Sequence, residues 1–151
     1  MTAILPQPDI VIFDGDCGIC NATREWAEAR DRDHRLKFVP FQTASLGALS
    51  PGLTDDMARR MAWLVTDAGY RIGGARAIFT ILARLPFPWK IAGTIGAFPP
   101  ISLICEPFYR IVAHNRSRIS GWLGLSYCMV RGVPQRIQPG DGGSADTPTL
   151  R

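Results

Sequence analysis

An α/β fold is predicted by three observations. The apolar run Ile10-Val11-Ile12-Phe13 leads straight into a helical pattern, and Leu36-Lys37-Phe38-Val39 supplies a second short strand behind it. A hairpin signal then follows, with Ala62-Trp63-Leu64-Val65-Thr66 and Tyr70-Arg71-Ile72 flanking the turn residues Asp67-Ala68-Gly69. The chain of 151 residues is long enough for one domain with its own core.

Each element has a local cause. Residues 9 to 13 read as a buried strand. From Cys17 to about Arg30 a helix is expected, with Ile19, Thr23, Trp26 and Ala27 on one face and Asn21, Arg24, Glu25 and Glu28 on the other. Asp16 is placed at its N-cap, a position that favours Asp. Pro40 ends the second strand. The stretch from Ser45 to Gly52 reads as loop, and Thr54-Asp55-Asp56 opens a short helix through about Arg60. After Gly73-Gly74, Ala77, Ile78, Ile81, Leu82 and Leu85 recur at helical spacing. The resulting order, β-α-β-α-β-β-α, is that of a thioredoxin-like core with a parallel first pair and a closing antiparallel hairpin.

Additional C-terminal helices are expected at 89–97 and 101–114, around Pro99-Pro100. The segment Leu85 to Cys105 is the most apolar of the chain, but Lys90 and four prolines argue against a spanning helix. Buried helices joined by proline turns are favoured there over a membrane-surface contact. The domain is taken as residues 1–131. Residues 132–151, rich in Gly, Pro, Ser and Asp, are expected to form a disordered tail.

The net charge is +4, and the seventeen basic residues are dispersed rather than clustered, which argues against a nucleic-acid partner. Residues 1 to 6 lack the basic and apolar regions of a signal peptide, so a cytoplasmic, reducing location is expected. There, two cysteines three positions apart are more often catalytic or metal-binding than structural.

Asp14-Gly15-Asp16-Cys17-Gly18-Ile19-Cys20 is the most informative stretch. Thiol–disulfide exchange needs one thiol to attack and a second within reach to resolve the mixed disulfide. At a helix N-terminus the backbone N–H groups and the macrodipole favour the thiolate, and i, i+3 spacing puts both sulfurs on one face. Cys17 is expected to attack, at the exposed helix end, with Cys20 resolving from one turn inside. Asp16 beside Cys17 opposes thiolate formation. The attacking thiol is therefore expected in the upper part of the roughly 3.5–7.5 range seen at such sites, as in a reductant rather than a strong oxidant.

With these elements placed, the chain resembles the DCC family of thiol-disulfide oxidoreductases, named for the Asp-Cys-Cys of its N-terminal motif, here Asp16, Cys17 and Cys20. Two further regions are similar: Gly73-Gly74-Ala75-Arg76-Ala77, and Tyr109-Arg110-Ile111-Val112-Ala113-His114-Asn115-Arg116. The likeness covers roughly residues 9 to 118. It implies a thioredoxin-like fold and dithiol redox activity at Cys17 and Cys20, with Asp14, Asp16, Asn115 and Arg116 as supporting residues. No metal or organic cofactor is implied. The partners would be a disulfide-bearing protein or small molecule and an electron donor such as a thioredoxin or a low-molecular-weight thiol. Thioredoxins carry a cis-proline before the third strand to hold a substrate chain. Here Met57-Ala58-Arg59-Arg60-Met61 has no proline, so peptide docking of that kind is not expected.

Several rival readings carry less weight. Zinc would need four ligands, and Cys105, Cys128, His34 and His114 stand without paired spacing. Cys105 and Cys128 read instead as small core hydrophobes. The strand followed by Asp-x-Asp resembles the first motif of haloacid-dehalogenase-type phosphatases, with Asp14 as nucleophile, Asp16 as acid–base partner and Mg²⁺ between carboxylates. Gly18 departs from that motif, and the late acidic pair it requires has no strand before it. The plainer role for Asp14 and Asp16 is loop turning and capping. A non-catalytic thioredoxin-like interaction module is the other alternative. On a helix, Phe108, Ile111, Val112, Asn115 and Ile119 share a face expected to point inward. Asn115 and Arg116 are expected to tie the last helices to the sheet more than to stabilise a thiolate, and His114 to be solvated.

Overall fold

The computed structural model describes residues 7–125 and the backbone of two further strands at 127–130 and 133–136. The chain runs β1 (Asp9–Phe13), α1 (Gly18–Glu28), β2 (Leu36–Pro40), a short helical turn (Phe41–Thr43), α2 (Leu46–Leu49), α3 (Asp55–Arg60), β3 (Trp63–Val65) and β4 (Arg71–Gly73). It continues with α4 (Gly74–Arg84), α5 (Trp89–Gly96), α6 (Pro99–Trp122), β5 (Tyr127–Val130) and β6 (Val133–Arg136). The four-stranded sheet has the order β2-β1-β3-β4. β1 and β2 are parallel, from Asp9 opposite Leu36 to Phe13 opposite Pro40. β3 runs antiparallel to β1 and to β4. This is the mixed sheet of a thioredoxin-like fold.

Alternation along the strands divides the core in two. Val11 and Leu64 point to one face and pack with Ala27 of α1 and with Ala77, Ile81 and Leu85 at α4. Ile12 and Val65 point to the other, against Phe41, Leu46, Leu53 and Ala58. The sheet is thus sandwiched between α1 with α4 and α2 with α3. The stretch expected as loop contains the one-turn helix α2, which buries Leu46 in the second core.

Gly74 opens α4 at φ +67°, and a Cβ there would strike the Glu106 carboxylate, which accepts from Ala75 N at 3.0 Å. That contact gives the Gly-then-Ala stretch its physical sense. α5 rests backbone-on-backbone against α4 at Gly93, where any side chain would meet Ala83, Leu82 and Phe79.

α6 sits the other way round from its hydrophobic pattern. Phe108, Ile111 and Val112, expected inside, are 72%, 61% and 43% exposed. The inward face is the 4-3-4-3-4 stripe Ser102, Glu106, Tyr109, Ala113, Arg116 and Ser120. Four of its polar side chains engage other elements, as the bonds to Ala75, Ala62, Asp14 and Ile19 show. Ile19 of α1, Ala62 ahead of β3 and Ala75 of α4 point backbone N–H groups to that side, with the Asp14 carboxylate, so polar partners fit there. The buried helices expected between Leu85 and Cys105 are therefore corrected too: Ile91, Ile95, Phe98, Leu103 and Ile104 are exposed. α5 and α6 meet at a bend of 94°, and among the described residues no single helix is long and apolar enough to cross a membrane. Of the expected tail, 133–136 form β6, and 132 and 137–151 lie outside the described residues.

Candidate active site

The loop from β1 to α1 is folded by its own carboxylate. Asp14 Oδ1 accepts from Asp16 N at 3.1 Å and from Gln42 Nε2 at 2.6 Å, while Gln42 Oε1 accepts from Gly15 N at 3.0 Å. This turn carries the chain one residue further than a cap at Asp16 would require. The N-cap is Cys17, in extended conformation, and its Sγ accepts from Cys20 N at 3.3 Å. Asp16 is exposed at the turn and receives a weaker contact from Gln42 Nε2 at 3.3 Å.

Cys17 and Cys20 are joined as a disulfide, with Cα atoms 5.2 Å apart. Cys17 is the more enclosed of the two, only 5% exposed, contrary to its expected place at an open helix end. The end of α6 packs on the residues that follow it. Ser120 Oγ accepts from Ile19 N at 3.0 Å, and Leu125 lies directly on Gly18, where a Cβ would overlap its carbonyl. The free amide at the start of the CxxC helix is thus taken by a side chain 101 residues away.

Asn21, assigned by pattern to the outer face of α1, is fully buried. Its Nδ2 donates to Gly15 O at 2.6 Å and to Cys17 O at 3.0 Å, fixing the loop on which the dithiol sits. Arg116 Nη2 pairs with Asp14 Oδ2 at 2.7 Å and also donates to Arg59 O. Asp14 is therefore held by a cation and an amide, in an arrangement suited to bracing a loop. A phosphatase nucleophile would face Asp16 across an open site. Asn115 turns back to its own helix, donating to Ile111 O at 2.8 Å. His114 is exposed. Cys105 is a partly buried free thiol, and the side chain of Cys128 lies outside the described residues. Among the described residues no three His, Cys, Asp or Glu side chains cluster at metal-binding distance.

Where a thioredoxin would place its proline, Ala62 donates its N–H to Tyr109 Oη at 2.8 Å. Burial raises the Tyr109 phenol above its ordinary value of 10.0, reinforced by Glu106 and opposed by the Ala62 hydrogen bond and by Arg116. Between the sheet and α6 lies a cavity of about 270 Å³, walled by Val11, Phe13, Trp26, Phe38, Ile81 and Leu82 and floored by Cys20. A second cleft, about 660 Å³, shares Tyr109, Ala113 and Arg116 and adds Arg59, Arg60, Arg110 and His114. Three of its arginines are already paired, Arg60 with Asp56, Arg110 with Glu106 and Arg116 with Asp14.

Sequence reasoning selected both cysteines, Asp14 and Arg116, which the fold brings together. It missed Asn21, Gln42 and Ser120. The signal for Ser120 was the polar stripe along α6; Gln42 offered none.

Residues 11–122 match the family model described as DCC1-like thiol-disulfide oxidoreductase. The chain belongs to that family. The DCC1-like match runs from β1 to the last turn of α6, so it takes in every described element that builds the dithiol site. The chain is also similar to the uncharacterized protein YuxK of Bacillus subtilis (strain 168), 25% identical over 124 residues, which cover 80% of this chain and 85% of YuxK. No solved structure matches it.

Proposed function

We propose that this DCC1-like protein reduces disulfide substrates by dithiol exchange at Cys17 and Cys20. One thiolate attacks the substrate disulfide and releases the first substrate thiol. The second cysteine attacks the mixed disulfide, releases the other thiol and closes the Cys17–Cys20 bond. Two electrons and two protons pass to the substrate. A low-molecular-weight thiol or a thioredoxin-type donor restores the dithiol. The reading sets this cycle in the cytoplasm, where thiol pools keep such pairs reduced. Asp14, Asn21 and Arg116 act as positioning residues for the loop.

The observation that carries this reading is the Cys17–Cys20 pair at the cap of α1, with Cys20 N donating to Cys17 Sγ. Kept in the reduced form, that hydrogen bond would stabilise a thiolate at Cys17. The test is reduction of 2-hydroxyethyl disulfide with a thiol donor, comparing wild type with the Cys17→Ser/Cys20→Ser double variant. Turnover lost in the double variant is expected, together with a reduction potential below about −200 mV, on the reducing side of the known exchangers. A potential near about −120 mV would assign an oxidant instead.

A second reading, a non-catalytic interaction module, is favoured by one feature, the 5% exposure of Cys17. It predicts equal and negligible turnover in wild type and double variant.

A further inference from the structure

The two sulfurs of the dithiol do not face the same surroundings. Cys20 lines the apolar cavity; Cys17 does not, and is only 5% exposed. Thr23 is exposed and Val112 43% exposed among the lining residues, so the cavity opens between α1 and α6. A cavity of about 150 Å³ accepts benzene. The roughly twofold larger space here, about 270 Å³, admits an aromatic ring or a short branched chain together with its sulfur.

We propose that Cys20, rather than Cys17, is the sulfur that meets substrate, and that the substrate is a small disulfide or thiol with an apolar body seated in this cavity. The proposal rests on the dithiol-exchange reading and names its substrate class. In the reducing direction the Cys20 thiolate attacks the substrate disulfide R–S–S–R. The Cys20 Sγ–S bond forms as the substrate S–S bond breaks, and the other half leaves as R–S⁻ and takes up a proton. Cys17 then attacks Cys20 Sγ, forming the intramolecular disulfide and expelling the second R–S⁻, which is protonated in turn. In reverse, an incoming R–S⁻ attacks Cys20 Sγ from the cavity and Cys17 leaves. The Cys20 N–H on Cys17 Sγ suits that sulfur to leaving, because a stabilised thiolate departs faster.

Trapping separates this from the parent reading. The reduced single variants are mixed with 4,4′-dithiodipyridine, an apolar aromatic disulfide, and the adducts are read by mass spectrometry. Cys17→Ser is expected to hold a stable adduct on Cys20, while Cys20→Ser reacts at least about tenfold more slowly. An adduct forming fastest on Cys17 overturns the assignment yet leaves dithiol exchange standing. Adducts on neither, with no wild-type turnover, overturn the exchange reading itself. For the substrate class, rates with dithiodipyridine and 2-hydroxyethyl disulfide are compared after division by those of a free model thiol. Thr23→Trp, at the exposed mouth, should lower the apolar-to-polar rate ratio about tenfold. An unchanged ratio in a variant with native circular dichroism overturns the cavity as the binding site.

A separate observation carries a second inference. Phe87, Ile95, Phe98, Leu103, Ile104 and Phe108 are all more than half exposed on the segment containing α5 and α6. Between residues 86 and 125 the only carboxylate is Glu106, held against Ala75 and paired with Arg110, whereas Lys90 and Arg118 are exposed cations. Exposed aromatic and aliphatic side chains interleaved with cations, without free carboxylates, complement an anionic lipid surface. We infer that this face docks on anionic membranes. The full chain should co-sediment with phosphatidylglycerol-containing vesicles and not with pure phosphatidylcholine, and Leu103→Glu/Phe108→Glu should weaken that binding at least about tenfold. Failure to bind anionic vesicles overturns the inference, whether the chain runs as a dimer, which assigns the face to a second copy, or as a monomer.

Discussion

Asp14 Oδ2 and Arg116 Nη2 lie 2.7 Å apart, which joins the loop before the dithiol to the inner stripe of α6. Both side chains are largely shielded, at 13% and 19% exposure, so water competes weakly for either charge. Arg116→Ala leaves Asp14 with its amide partners but no cation, and should lower unfolding free energy in urea by about 2 kcal/mol. Arg116→Lys should recover part of the loss, because a lysine ammonium cannot reproduce the guanidinium fork toward Asp14 and the Arg59 carbonyl.

Tyr109 predicts an alkaline limit. Burial favours the neutral phenol, so its folded-state value lies above that of the unfolded chain. The associated stability is complete below the ordinary value of 10.0 and is lost as pH rises from there through the folded-state value. Absorbance titration should show a tyrosine ionising late, and that component should vanish in Tyr109→Phe. The same variant strands the Ala62 N–H and should cost about 1 kcal/mol at neutral pH.

Asn21→Ala should destabilise the oxidised protein by about 2 kcal/mol, because Gly15 O loses its side-chain donor at a buried site, while Cys17 O keeps only the residue-21 backbone N–H. Asn21→Asp gives a sharper test. An ionised carboxylate facing Gly15 O and Cys17 O is unfavourable, so the folded state raises its pKa. Stability of this variant should be greatest at low pH and fall as pH rises through that value, a slope that wild type and Asn21→Ala lack.

Gly18→Ala puts a methyl group into the Leu125 carbonyl, a backbone atom that cannot rotate away. A loss of about 2 kcal/mol is expected. Displacement of Leu125 should also open the route to Cys17, so alkylation of the reduced variant by iodoacetamide should be faster at Cys17 than in wild type.

The strands were legible because each is a brief apolar run bounded by turn residues, and Asp67 to Gly69 sets the hairpin (Gly69 has φ +81°). The cysteines were legible because their spacing is itself the chemistry. α6 misled because hydrophobic periodicity assumes that the buried face is the apolar one. Here the face met by α6 offers N–H groups and Asp14, so Glu106, Tyr109, Arg116 and Ser120 turn inward and Phe108 and Ile111 turn out. Asn21 was misplaced for the same reason, a polar residue read as outward when its amide serves buried carbonyls. The cap shifted from Asp16 to Cys17 because Asp14 and Gln42, distant in sequence, complete the turn first.

The bond from Ile19 to Ser120 ties the order of assembly to the direction of synthesis. A nascent chain presents Cys17 and Cys20 early, but the helix that covers the start of α1 is among the last described segments to emerge. Until then the two thiols are open to any passing oxidant, and the polar stripe of α6 has no counterpart to close upon. Premature cross-linking of Cys105 with either of them is the error that such an order of events invites.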